Sequence, residues 1–200
     1  MGGADYSGAV RCIPILAWLL AVLAPLAAEP GPDAPGLFRF GKLTVNPRER
    51  LVSFPAQVNM TNGLLEYALV HRDGKVHESL LASEIKPREI HAAMILLGVA
   101  PTNVTDQTEP GGQIDVPANI KPKGEPVEIL VAWQSEGRAV QRPLSDLIYN
   151  KKARERLKGQ PWVYNGSRAS QGRFLADLSG SMVSLITDLD ALINSTSPGH

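Results

Sequence analysis

Apolar and polar residues alternate with a period of two along much of this chain, and with a helical period along little of it. The clearest alternation is "LLEYALVHRDGKVHESLL", Leu64 to Leu81. Asp73-Gly74 at its centre suits a two-residue turn in which both residues take positive φ. The pattern predicts an antiparallel hairpin with Arg72 opposite Lys75, His71 opposite Val76, Val70 opposite His77 and Leu69 opposite Glu78. One face then carries Leu65, Tyr67, Leu69, His71, Val76, Glu78 and Leu80 and is the expected core face. His77 and Glu78, adjacent in sequence, would look to opposite faces. "GKLTVNPRERLVSF" predicts a second hairpin, turning at Asn46-Pro47 and returning through Leu51 toward Val58, with Pro55 marking an edge or a bulge. "VEILVAWQSEGRAV" predicts another, turning at Glu136-Gly137. "PWVYNGS" reads as a short strand, and "GRFLADLSGSMVSLI" as a hairpin near Ser179-Gly180.

Helical spacing is confined to fewer stretches. In "KPREIHAAMILLG", Ile90, Ala93, Met94 and Leu97 recur on one face, Pro87 fits the first turn, and Gly98 suits the left-handed stop. "SDLIYNKKARERLKG" predicts a second helix capped by Ser145 and stopped by Gly159, with the basic run Lys151–Lys158 as its solvated C-terminal end. "TDLDALIN" predicts a short closing helix capped by Asp188. Ala100 to Pro126, rich in Pro and Gly, is expected to be irregular. The expected architecture is one α+β domain over residues 37–194. It is mainly antiparallel sheet built from hairpins, with two main helices and a short C-terminal one.

The ends change the picture. Arg11 followed by "IPILAWLLAVLAPLAA" has the form of an export leader, with cleavage expected after Ala28. The apolar run falls short of the roughly 20 residues a membrane span needs and contains Pro14 and Pro25. "EPGPDAPG", residues 29–36, reads as a flexible connector, and residues 195–200 as a disordered tail. The single cysteine, Cys12, lies inside the leader. A mature chain without it has no disulfide, thiol nucleophile or cysteine-ligated metal. Twenty Lys and Arg balance 20 Asp and Glu. That balance points away from nucleic acid. An exported, periplasmic or secreted protein is expected, with no stable membrane span after cleavage and with an envelope protein or small ligand as partner.

Few residues carry recognisable chemistry. His71, His77 and His91 lack metal-ligand spacing, and no HExxH pair occurs. Ser167 in "NGSR" and Ser181 in "SGSM" do not complete a nucleophile elbow and read as turn residues. Asp188 and Asp190 diverge at helical spacing. Asn59, Asn103, Asn165 and Asn194 each begin an Asn-x-Ser/Thr sequon. Trp133 and Trp162 read as core residues. The catalytic candidates are Glu78 and His91, as an acid–base pair or a metal site; no cofactor and no metal is expected.

As an ordered set, "LEYALVHRDGKVHESLL", "IKPREIHAAMILLG" and "PWVYNGSRASQGRFLADLSGSMVSLITDLDALIN" resemble the YdjY-domain family of exported bacterial proteins. Glu78 and His91 match the family pattern. The resemblance implies an architecture and a compartment rather than a mechanism. Some proteins under that name are described as ferredoxin-like; a mature chain without cysteine departs from that label. A non-enzymatic binding or scaffolding module is therefore expected first, and an enzyme using Glu78 and His91 second.

Overall fold

A computed structural model describes residues 7–14, 36–102, 121–157, 159 and 162–196, with side chains from residue 36 onward. Its strands are β1 (Ser7–Pro14), β2 (Phe38–Phe40), β3 (Leu43–Asn46), β4 (Leu51–Val58), β5 (Tyr67–His71), β6 (Ser79–Ser83), β7 (Glu125–Ser135), β8 (Arg138–Pro143), β9 (Tyr149–Asn150), β10 (Glu155–Arg156), β11 (Trp162–Tyr164), β12 (Ala169–Ser170), β13 (Arg173–Phe174), β14 (Ser181–Ser184) and β15 (Ile193–Ser195). The helices are α1 (Pro87–Leu96) and the five-residue α2 (Leu175–Ser179). The fold is thus mostly β. The expected α+β class with two main helices and a short C-terminal helix is overturned, while the mainly antiparallel sheet is present.

The large sheet closes on itself. β1 pairs with β7, β7 with β11, β11 with β15, β15 with β14, β14 with β5, β5 with β6, β6 with β4, and β4 again with β1. The β14–β15 and β5–β6 pairs are parallel, and the others in this ring are antiparallel. β2 and β3 extend the sheet beyond β4, and β8 extends it beyond β7. The interior is filled by side chains, as small barrels require. Val52, Phe54, Leu69, Leu81, Ile129, Tyr164 and Met182 all belong to this core. α1 packs on β3, β4 and α2, burying Pro87, Ile90, Ala93 and Met94. Lys86 N–H donates to the Glu89 carboxylate at 2.9 Å, and Gly98 ends the helix at φ 76°.

Local signals placed two hairpins correctly. β3 and β4 pair with Asn46 opposite Leu51, and the Asn46 side-chain oxygen accepts from the N–H groups of Arg48 and Glu49. β7 and β8 pair with Ser135 opposite Arg138, and both turn residues, Glu136 and Gly137, take positive φ.

The Asp73-Gly74 hairpin does not form. β5 and β6 run parallel, with Tyr67 opposite Ser79 and Leu69 opposite Leu81, and a 3-10 turn over Val76–Glu78 leads into β6. Neither Asp73 nor Gly74 takes the positive φ a type I′ turn demands. Gly74 serves a different need: a Cβ there would meet Ser179 O at 2.8 Å and Gly180 Cα at 2.9 Å. The absent side chain lets this connection press against the α2–β14 corner.

Three further elements differ. "SDLIYNKKARERLKG" forms a 3-10 turn at Leu144–Leu147 and the small β9–β10 hairpin, so Ser145 caps no α-helix. The Asn150 side-chain oxygen takes the N–H groups of Lys152 and Ala153, the competition with helix that short polar side chains offer. "GRFLADLSGSMVSLI" is interrupted by α2, and Gly180 is its left-handed cap at φ 72° rather than a hairpin turn. Ser181 opens β14. "TDLDALIN" ends in β15, because Asp188 closes a tight turn by accepting from Asp190 N–H at 2.9 Å. The connector at 29–35, Asn103 and Lys158 lie outside the described residues.

Candidate functional site

Side chains of β4, β6 and β7 together wall an apolar cleft. Ala56 and Val58 come from β4, Leu80 and Leu81 from β6, and Val131 and Trp133 from β7, together with Thr61 and Leu147. The cavity measures about 340 Å³, within the range of small-molecule sites. Trp133 and Leu147 also border a second cleft with Arg142, Asp146 and Arg156. Trp162, by contrast, is a core residue opposite Val127 and Ser195. The two tryptophans therefore divide between core and cleft.

The polar groups form a separate system on the β5, β11 and β15 side. Tyr67 donates its hydroxyl to Asp188 at 2.8 Å, and the Lys75 ammonium donates to the same phenolic oxygen. Lys75 also lies 3.6 Å from the Asp188 carboxylate. Burial, and then the Asp188 charge, push the Tyr67 phenol far above its ordinary value, so it stays a neutral donor. Asn165 and Asn194 are fully buried. The Asn194 amide donates to the Asn165 side-chain oxygen and to Asp188 O, each at 2.8 Å, and accepts from Asp188 N–H. Asn165 donates to Ala191 O at 2.9 Å. Ser167 donates to Asp190 O and accepts from Ala176 N–H, joining the turn to α2. These groups satisfy one another, as buried polar groups must. They fasten the 188–194 turn to the sheet. Both sequon asparagines here have their amide nitrogens engaged, while Asn59 is exposed and donates to Val76 O and Ser79 O.

The catalytic candidates fall into different surroundings. Glu78 sits in the 3-10 turn, 23% exposed, its carboxylate 3.9 Å from the 77%-exposed His77 ring. His91, on α1, shares a 2.6 Å hydrogen bond with the Tyr164 hydroxyl through Nδ1 and packs against the Phe174 ring at 4.8 Å between centroids. Burial holds the His91 imidazole below its ordinary value, against a smaller pull from Asp177. Among the described residues no hydrogen bond or ion pair joins Glu78 to His91, and neither lines the apolar cleft. His71 accepts from Asp73 N–H through Nδ1. The described residues contain no group of three or more His, Cys, Asp or Glu placed to hold a metal, and no helix long and apolar enough to cross a membrane. The cleft is the feature that sequence reasoning missed. The alternation placed Leu80 and Leu81 on opposite faces and gave Trp133 to the core, whereas all three line this cleft.

No curated protein and no solved structure matches this chain. The model of the YdjY domain matches residues 43–198. That span takes in β3 through β15, the cleft and the whole Tyr67–Asp188–Asn194 network, and the chain belongs to the YdjY-domain family.

Proposed function

We propose that this protein is an exported, non-enzymatic binding module of the cell envelope that holds an apolar group in the cleft between β4, β6 and β7. The leader-like residues 1–28 support export, and their apolar run before Ala28 is the feature that recommends it. The observation that carries the binding role is the cleft itself, a cavity of about 340 Å³ with β1 in place, walled almost wholly by aliphatic and indole side chains. Such a surface in contact with water is costly, at about 25 cal/mol per Å², and covering it with a ligand recovers that free energy. The side chains of Tyr67, Asn165, Asn194 and Asp188, in contrast, are occupied with one another.

A series of straight-chain alcohols from butanol to decanol tests this, read by Trp133 emission. Each added methylene should tighten binding by about 0.8 kcal/mol, roughly fourfold, until the cavity is full. The signal should vanish in Trp133→Phe. Absence of any saturable change across the series would defeat the reading.

A further inference from the structure

The strand that closes the ring is not part of the family-matched region. β1 covers Ser7–Pro14, before residue 43 and inside the leader-like segment. It lies antiparallel to both neighbours. One edge pairs Ser7–Cys12 with Gln57–Val52 of β4, and the other pairs Ala9–Pro14 with Ala132–Val127 of β7. Removal of residues 1–28 would leave two facing strand edges, one strand-width apart, each with a run of unpaired N–H and C=O groups. Between them, Val52, Phe54, Ile129 and Val131, all core residues with β1 in place, would lose their cover. A long apolar edge of this kind does not stay bare in water.

We propose that in the processed protein this slot takes an extended segment of a partner polypeptide, which enters as a strand antiparallel to both β4 and β7. The proposal rests on the reading that the chain is exported and its leader removed. The register states what the segment must be. Gly8 stands opposite Ala56, Val10 lies between Phe54 and Val131, and Cys12 lies between Val52 and Ile129. Small and medium apolar residues at alternate positions fit this row. The intervening positions, such as Arg11 beside Ser53 and Leu130, accept polar residues. Main-chain pairing on two edges supplies affinity, and the alternate apolar positions supply selectivity, as in strand-addition recognition.

The test begins with the full chain made in an exporting bacterial host. Intact mass of the recovered protein gives its N-terminus. The processed protein is then titrated with a synthetic peptide of residues 7–14 carrying Cys12→Ala, and with the same peptide also carrying Val10→Pro. The expected result is a start at Glu29 and saturable 1:1 binding that is at least tenfold weaker for the proline peptide. Peptide-dependent protection from hydrogen exchange should appear at Val52–Gln57 and Val127–Ala132. A recovered protein that keeps residues 1–28 overturns the reading that the leader is removed, and with it the slot, because the slot then has a permanent occupant. A processed protein that binds neither peptide, binds both equally, or has both edges protected before any peptide is added overturns the slot alone. Edge protection with a doubled mass assigns the face to a second copy instead.

Discussion

At the scale of single residues, the polar side chains of this protein are chiefly structural. Asn194 shows this most sharply. Its amide serves Asp188 N–H, Asp188 O and the Asn165 side chain at once. Asn194→Leu keeps the volume and leaves all three without a partner. It should cost about 2–4 kcal/mol, seen as a lower midpoint in chemical denaturation with unchanged slope. Asn194→Asp, which keeps the acceptor for Asp188 N–H, should cost less if protonated, so its deficit should shrink as pH falls. His91 makes a different prediction. Burial lowers its folded-state value, so between that value and about 6.5 the unfolded chain binds the proton more readily. Stability from a neutral His91 is therefore complete above about pH 6.5 and is lost as pH falls through the folded value. A series of urea midpoints between pH 8 and pH 5 should decline in the wild type. His91→Gln, which does not titrate, should flatten that part of the decline. Identical slopes in the two proteins would refute the assignment.

At the scale of elements, two glycines separate local from distant causes. Gly137 takes φ 73° in a turn where an added Cβ would have nothing within 4 Å, so Gly137→Ala should cost only about 1 kcal/mol of backbone strain. Gly74 has ordinary φ, but its Cβ would strike the backbone of Ser179 and Gly180, so Gly74→Ala should cost about 2–3 kcal/mol. Thermal denaturation of the pair gives the order directly; an equal or reversed order would refute the account of the β5–β6 connection. The same contrast explains what could be read in the sequence. Asn46, Glu136-Gly137, Pro87 and Gly98 act within a few residues of themselves, and the elements they mark were legible. Asp73-Gly74 has the composition of a hairpin turn, but its shape is set by a contact more than a hundred positions away. "SDLIYNKKARERLKG" has helix formers but almost no apolar residue between Ile148 and Leu157, so no stripe exists to hold a helix on the core. Asp188 could cap a helix or close a turn. Tyr67 and Asn165, which reach the 188–194 segment from distant parts of the chain, decide for the turn. The cleft was illegible for the same reason, since its walls come from three strands whose order only the closed sheet reveals.

At the scale of the whole molecule, strand order ranks the stability of the parts. β14 lies between β5 and β15, and all four of its residues are buried. Exposing its amides requires separating a strand from both neighbours and opening the core, which is close to complete unfolding. Among the described residues β2 has a single neighbour, β3; all three of its residues are exposed, with Phe38 and Phe40 about half in solvent. Among the described residues β8 likewise pairs only with β7, and it is mostly exposed. Local opening of these two outer strands costs little buried area, so their amides should exchange through small fluctuations. Hydrogen exchange across a denaturant series should then show β14 and β5 amides tracking the global unfolding free energy with its full denaturant dependence. β2 and β8 amides should exchange far faster and with almost no denaturant dependence. If β14 opened as readily as β2, the large sheet would not be the cooperative unit. The parallel β5–β6 and β14–β15 pairs would then be peripheral to stability rather than at its centre.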